Sequence, residues 1–292
     1  MTANSLQPKA QLTGARYMLV SALGFALMAA CVKLVSLRGI PLLEIVAARA
    51  LVSLVISYVD VRRKGLSVWG THRTLLAARG IVGSFALVCV YYALMTLPLA
   101  EATLLQYMHP MFTALLGLLL LKERIQRSTV LCILLSITGL IVMVEPALFS
   151  GAAPALPSLS VTVALLGAFG SAVAYVLVRR LSQAEDASVI IFYFPLVALP
   201  LSVAILGNQF VMPDGQSLVL LLMVGVFTQI GQLGLTHAMR HGSAGKTAAY
   251  SYIQIIFAVL LGWIVFAELP SIWTWIGGGL IIAGALVNLI RR

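Results

Sequence analysis

Apolar residues in this chain fall into long unbroken runs, not into the alternation of a half-buried strand or the single stripe of a surface helix. A helix rising about 1.5 Å per residue needs roughly 17–25 such residues to cross a ~30 Å hydrocarbon core. Ten runs of this kind are predicted as spans, over 16–37, 41–60, 72–96, 100–121, 127–145, 159–180, 187–206, 215–239, 246–267 and 271–290. Strands of a membrane barrel would be about half as long and would alternate apolar with polar residues. The expected fold is therefore an all-α membrane protein with ten transmembrane helices.

The pattern repeats itself. Tyr107-Met-His-Pro-Met-Phe112-Thr-Ala-Leu-Leu-Gly117 returns 145 residues later as Tyr252-Ile-Gln-Ile-Ile-Phe257-Ala-Val-Leu-Leu-Gly262, and the same offset carries Glu123 onto Glu268 and Gly139 onto Gly284. Five spans per half is an odd number, so the second copy must enter the membrane upside down. Inverted repeats of this kind place a substrate site near the bilayer midplane, where the halves meet. The proline-bearing stretch from Glu145 to Ser160 breaks helix formation and falls where the repeat needs a boundary. The expected units are a first five-helix repeat over 1–146, an extracytoplasmic linker over 147–158 and a second five-helix repeat over 159–292, forming one membrane body.

Composition agrees with this reading. Of 292 residues, 61% are hydrophobic and 10% charged, with a mean hydropathy of +1.05, where soluble domains carry roughly 25% charged residues. A net charge of +10 raises the question of nucleic acid, but the distribution of the basic residues answers it. With the N-terminus inside, fifteen of the nineteen Lys and Arg residues lie on the cytoplasmic side: Lys9, Arg16, Arg62, Arg63, Lys64, Arg73, Lys122, Arg124, Arg127, Arg179, Arg180, Arg240, Lys246, Arg291 and Arg292. This asymmetry sets topology and places both termini in the cytoplasm. The polar first residues lack a signal-peptide layout. Cys31, Cys89 and Cys132 sit in three different spans, so neither a disulfide nor a metal site is expected. Compact loops suit a bacterial inner membrane.

Enzyme motifs fail on inspection. Gly242-Ser-Ala-Gly-Lys-Thr247 looks like the end of a phosphate-binding loop, but that loop needs glycine where Arg240 stands and a strand before it. The expectation is a non-enzyme without cofactor, nucleotide domain or nucleic-acid partner, working on a small molecule among lipids, with a monomer favoured.

Polar residues inside spans carry the remaining information, because each is costly in hydrocarbon. His109 lies nine residues into the fourth span, about 13–14 Å deep. Its offset partner Gln254 lies eight residues into the ninth, entering from the other face. The pair lines a cavity or serves as interhelical glue. Tyr107, Tyr250 and Tyr252 flank it as aromatic walls or interfacial anchors. Pro110 removes a backbone donor, which frees a carbonyl for substrate or water. Lys33 and Glu44, at similar depth across the first outside hairpin, are predicted as a structural or gating ion pair. Arg49, near mid-depth in the second span, either packs or meets a substrate carboxylate. Arg79 is shallower and within reach of the inner surface. Gly80, Gly83 and Gly277-Gly-Gly279 permit close helix approach.

The run Ala48-Arg49-Ala50, Leu97-Pro-Leu-Ala-Glu-Ala-Thr103, Tyr107-Met-His-Pro-Met-Phe112, Gly117 and Leu121-Lys-Glu-Arg124, partly repeated as Phe257, Gly262, Glu268 and Gly284, resembles the drug/metabolite transporter superfamily, in particular proteins with two EamA domains. The second half departs from it with Ile255 where the first has Pro110. The resemblance covers essentially the whole chain. It implies ten helices in two inverted repeats around a central cavity, moving metabolites out of the cytoplasm, as in the YddG-type exporters of aromatic and neutral amino acids. The first span has no acidic residue for a lipophilic cation, and His109, Arg49 and tyrosines suit a carboxylate on an apolar body. The expected function is alternating-access export of aromatic and other neutral amino acids. Other organic anions, sugar phosphates, or a channel or non-transporting protein are the alternatives.

Overall fold

A computed structural model describes residues 7–109, 111–113, 115–116, 127–144, 156–181, 184–241 and 252–290. Within them the chain is helical, with no strand. The helices are α1 (Gln7–Leu37), α2 (Leu42–Arg63), α3 (Arg73–Thr96), α4 (Leu99–Gln106), α5 (Arg127–Val144), α6 (Ser158–Leu181), α7 (Ala187–Leu206), α8 (Gly215–His241), α9 (Ile253–Phe266) and α10 (Ile272–Ile290). Six of them, α1, α2, α3, α6, α7 and α8, are long and apolar enough to cross a membrane, while α5, α9 and α10 contain shorter apolar stretches. The predicted fourth and ninth spans run partly outside the described residues.

Local chemistry sets several of these boundaries. Asp186 caps α7 by accepting the Ser188 N–H at 2.9 Å, satisfying one of the free donors of a helix start. Gly39, Gly65, Gly70 and Gly207 take positive φ where the chain reverses between helices. Ala267, at φ 54, does so with a side chain and turns the α9 terminus so that Glu268 N–H reaches Gly262 O at 3.0 Å.

The helices pack across the two halves of the chain. α1 lies along α8, and α3 along α6; α2 lies along α7, and α5 along α10. α4 meets α6 and α9, and α1 also meets α9. Close approach comes from small residues, as expected in lipid. A Cβ on Gly139 would strike the Gly277 carbonyl, and one on Gly277 would strike that of Gly139. A Cβ on Gly80 would meet Val197, and one on Gly225 would meet Val52.

The surface is apolar. Leu51 and Val55 on α2, Ile81 and Phe85 on α3, Ile205 on α7 and Ile264 on α9 are all more than half exposed. Contiguous apolar surface on this scale belongs against acyl chains, not water. Trp69, Trp263 and Trp275 are exposed at or near helix ends, the headgroup level where indoles concentrate. The chain is a multi-pass integral membrane protein.

Polar contacts sort to two opposite ends. At one, Arg38 pairs with Asp214 at 3.2 Å and Val211 N–H donates to Glu44 Oε2 at 3.0 Å. At the other, Lys64 pairs with Asp60 at 3.0 Å and Asp186 at 3.6 Å, and Tyr193 donates to the Trp69 carbonyl at 2.8 Å.

Candidate functional site

The break in α4 begins the site. Proline has no N–H and its ring crowds the carbonyl four residues earlier, so Pro110 leaves the Gln106 carbonyl without its helical donor. α4 ends at Gln106, Tyr107 and Met108 form a turn, and helix resumes beyond it. The carbonyl that the sequence frees for substrate or water already has one partner within the protein. His109 Nδ1 takes that carbonyl at 3.0 Å. A carbonyl only accepts, so Nδ1 carries the proton, and in the neutral ring Nε2 is left as an acceptor. Pro110 itself lies outside the described residues.

This turn projects polar and aromatic side chains into the space between α4, α6 and α9. Tyr107 and its offset partner Tyr252 meet with ring centres 5.2 Å apart, and the Tyr107 hydroxyl donates to Gln254 Oε1 at 3.0 Å. The His109 ring lies 5.6 Å from Tyr107 and stacks nearly parallel on Tyr175 at 5.0 Å. Gln106 Nε2 donates to Ser171 Oγ at 2.9 Å, tying the turn to α6. Tyr107 and Tyr252 are buried, and His109 and Gln254 partly buried. Four of the predicted site residues therefore stand together. Tyr250 lies outside the described residues. Tyr175 was missed by the sequence reading, although a mid-span tyrosine was the available signal.

Arg49 stands apart from this cluster. It is 4% exposed. Its Nε donates to Thr228 on α8 at 3.1 Å, and its guanidinium lies over Tyr91 and Phe194 at 5.6 and 5.0 Å. A cation at bilayer mid-depth costs about 2.5–3.5 kcal/mol on insertion scales, which these aromatic faces and the threonine offset in part. Arg79 does not reach for the surface. Its guanidinium lies 5.1 Å from the same Phe194 ring, with room provided by Gly83, where a Cβ would collide with Arg79 Nη1.

Lys33 and Glu44 do not pair. Lys33 instead binds Glu268, donates to the Leu97 carbonyl at 2.9 Å and lies over Phe266 at 5.1 Å. Glu268 also accepts the Leu99 N–H at 2.9 Å. Glu44, 2% exposed, is held by Val211 N–H. The reason is topological. The connections after α3 and α9 both reach the end of α1, and two backbone groups there need the ammonium and the carboxylate. One latch thus joins α1, the α3–α4 connection and the α9–α10 connection. Glu268 was visible in the sequence only as the repeat partner of Glu123.

Among the described residues no group of three or more metal-ligating side chains is found.

Comparison with known proteins gives this arrangement a context. The sequence pattern of the EamA-like transporter family matches residues 12–145 and again 158–290. The chain is similar to the pseudopaline exporter CntI of Pseudomonas aeruginosa, 35% identical over 268 residues that cover 91% of this chain and 92% of that one. It is also similar to human solute carrier family 35 member G1, 30% identical, covering 96% of this chain and 79% of that one. A solved crystal structure 22% identical in sequence shares the fold, with a TM-score of 0.67 over 98% of both chains.

Proposed function

The chain belongs to the EamA-like transporter family with two EamA-like segments, and from that premise we propose that it is a secondary exporter of small carboxylate-bearing, amino-acid-like metabolites. It works by alternating access between two inverted five-helix repeats of a ten-span body, with both termini cytoplasmic. The curated relatives include an exporter, which favours a carrier over a channel or scaffold.

One observation carries the placement of the site. Tyr107 and Tyr252 are equivalent residues of the two halves, and their rings touch. Equivalent residues meet on the axis that exchanges the halves, and this contact supports a site of Tyr107, His109, Gln254 and Tyr252 on that axis, between α4 and α9. Other contacts support the same symmetry. Gly80 against Val197 is repeated, 145 residues on, as Val52 against Gly225. Gly170 against Ala86 is repeated as Gly231 against Phe25. Arg49 and Phe194, also equivalent, are again in contact.

The chemistry of the cluster suits an apolar or aromatic body held between tyrosine faces, where an aromatic pair contributes about 0.5–1.5 kcal/mol beyond area burial. Polar recognition comes from Gln254 and from His109 Nε2. The carboxylate turns toward Arg49. Alternating access needs a closure that breaks on one side, and the Lys33–Glu268 latch supplies it on the face carrying the α1–α2 and α9–α10 connections. Aromatic and other neutral amino acids are the first substrates to test. Purified protein in liposomes should give saturable phenylalanine or leucine flux, reduced in His109→Ala and Gln254→Ala variants that express normally. Unchanged flux in both variants returns these residues to helix–helix glue.

A further inference from the structure

Arg49 and Arg79 share a small cavity between α2, α3, α7 and α8, lined also by Ser53, Phe194 and Gln229. Each guanidinium carbon is about 5 Å from the centre of one ring, that of Phe194, so the two cations lie no more than about 10 Å apart, within range of a substrate's two acidic groups. Neither forms an ion pair among the described residues. Arg49 Nη1 and Arg79 Nε and Nη1 are buried without a hydrogen-bond partner among those residues, and so are Ser53 Oγ and Gln229 Oε1. One further acceptor belongs to a residue that lines the same space. Pro195, inside α7, has no N–H for the Ile191 carbonyl, and both residues line the cavity.

Two cations in the membrane interior whose partners among the described residues are all neutral call for anionic ones. A neutral amino acid offers one carboxylate and a cationic ammonium, which leaves the cavity positive. Building on the exporter reading above, we infer that the Arg49–Arg79 cavity binds the acidic end of an amino-acid-like substrate carrying two carboxylates. One carboxylate sits on each guanidinium, and a substrate N–H donates to Gln229 Oε1 or the Ile191 carbonyl. In the present conformation the space for water centres is only about 10 Å³, room for roughly one water. Binding therefore moves the Phe194 ring, which stands beside both guanidinium groups on a helix already relieved of a backbone bond at Pro195. The substrate body extends past Tyr175 toward Tyr107 and Tyr252.

The test uses two probes that differ by one carboxylate and keep an N–H: phenylalanine and N-(carboxymethyl)phenylalanine. Binding of each to the purified full-length protein in nanodiscs is measured by calorimetry, and flux of each in liposomes. The diacid should bind at least about tenfold more tightly than phenylalanine, since it adds one charge-assisted contact. Arg79→Gln should bring that ratio close to one. Equal affinities in the unmodified protein overturn the inference whether or not the variant folds, as does a ratio untouched by Arg79→Gln. Saturable phenylalanine flux without diacid preference leaves the exporter reading standing and removes this one. Tight diacid binding without flux of either probe supports this site and removes the exporter reading.

Discussion

Replacing Lys33 with Met should open the latch without emptying its place in the fold, because the methionine stem still packs over Phe266. The lysine is 8% exposed and contributes two charge-assisted contacts, to the Leu97 carbonyl and to Glu268. Removing one partner of a fully buried pair costs about 3–5 kcal/mol. Glu268 is 26% exposed and keeps its bond from Leu99 N–H, so water recovers part of its solvation and about 2–3 kcal/mol is the expected loss. Only the latched conformation has these contacts, so the loss shifts the closed-to-open balance by about 30- to 140-fold. Thr103, 4% exposed and one turn below Leu99, reports on that balance. Thr103→Cys, in a background lacking Cys31, Cys89 and Cys132, should react with an impermeant maleimide added from the latch side tens of times faster when Lys33 is Met. Glu268→Gln should act in the same direction, and the double variant should fall short of the sum by about 1–3 kcal/mol. Labelling at the original rate in the Lys33→Met protein would refute the latch.

Tyr107→Phe keeps the ring contact with Tyr252 and removes the bond to Gln254, so flux should fall by about 2- to 12-fold, in line with about 0.5–1.5 kcal/mol, with little change in melting temperature. Gly277→Leu drives a side chain into the Gly139 carbonyl and should lower the fraction of monodisperse protein in size-exclusion chromatography, overpacking costing about 1–3 kcal/mol or more. In the α6–α7 connection, burial alone would raise the Glu185 carboxyl, but bonds from the His72 and Thr71 amides and the His72 ring hold it below its ordinary value. Its stabilisation is therefore constant at neutral pH and is lost as pH falls through that lowered value. The melting-temperature gap between the unmodified protein and Glu185→Gln should be flat from pH 7 to about 5 and close below ~4.5.

Much of the fold was legible because lipid imposes a simple rule. An apolar run of sufficient length is a span, and α7 occupies the predicted 187–206 to the residue. The aromatic cluster was legible for a different reason. The repeat sets Tyr107 against Tyr252, and His109 against Gln254, as matching positions 145 residues apart. What the sequence left hidden were partnerships between distant segments. Lys33 was matched to Glu44 by nearness along the chain, whereas its carboxylate lies 235 residues away. Arg79 reads as a shallow cation from its nearness to the start of α3; the missing side chain of Gly83, which leaves room for the guanidinium, carries no charge signal. The carbonyl freed by Pro110 was identified, but not its capture by the neighbouring imidazole, since that depends on a rotamer.

The most direct measurement of the central account is counterflow in liposomes. Vesicles preloaded with unlabelled phenylalanine or N-(carboxymethyl)phenylalanine are given a trace of the labelled compound outside. An alternating-access carrier with one site between its halves should accumulate label transiently above its equilibrium level, saturably, and His109→Ala should abolish the overshoot. Label that merely equilibrates, at a rate linear in concentration and indifferent to the internal load, would contradict the account and indicate a channel.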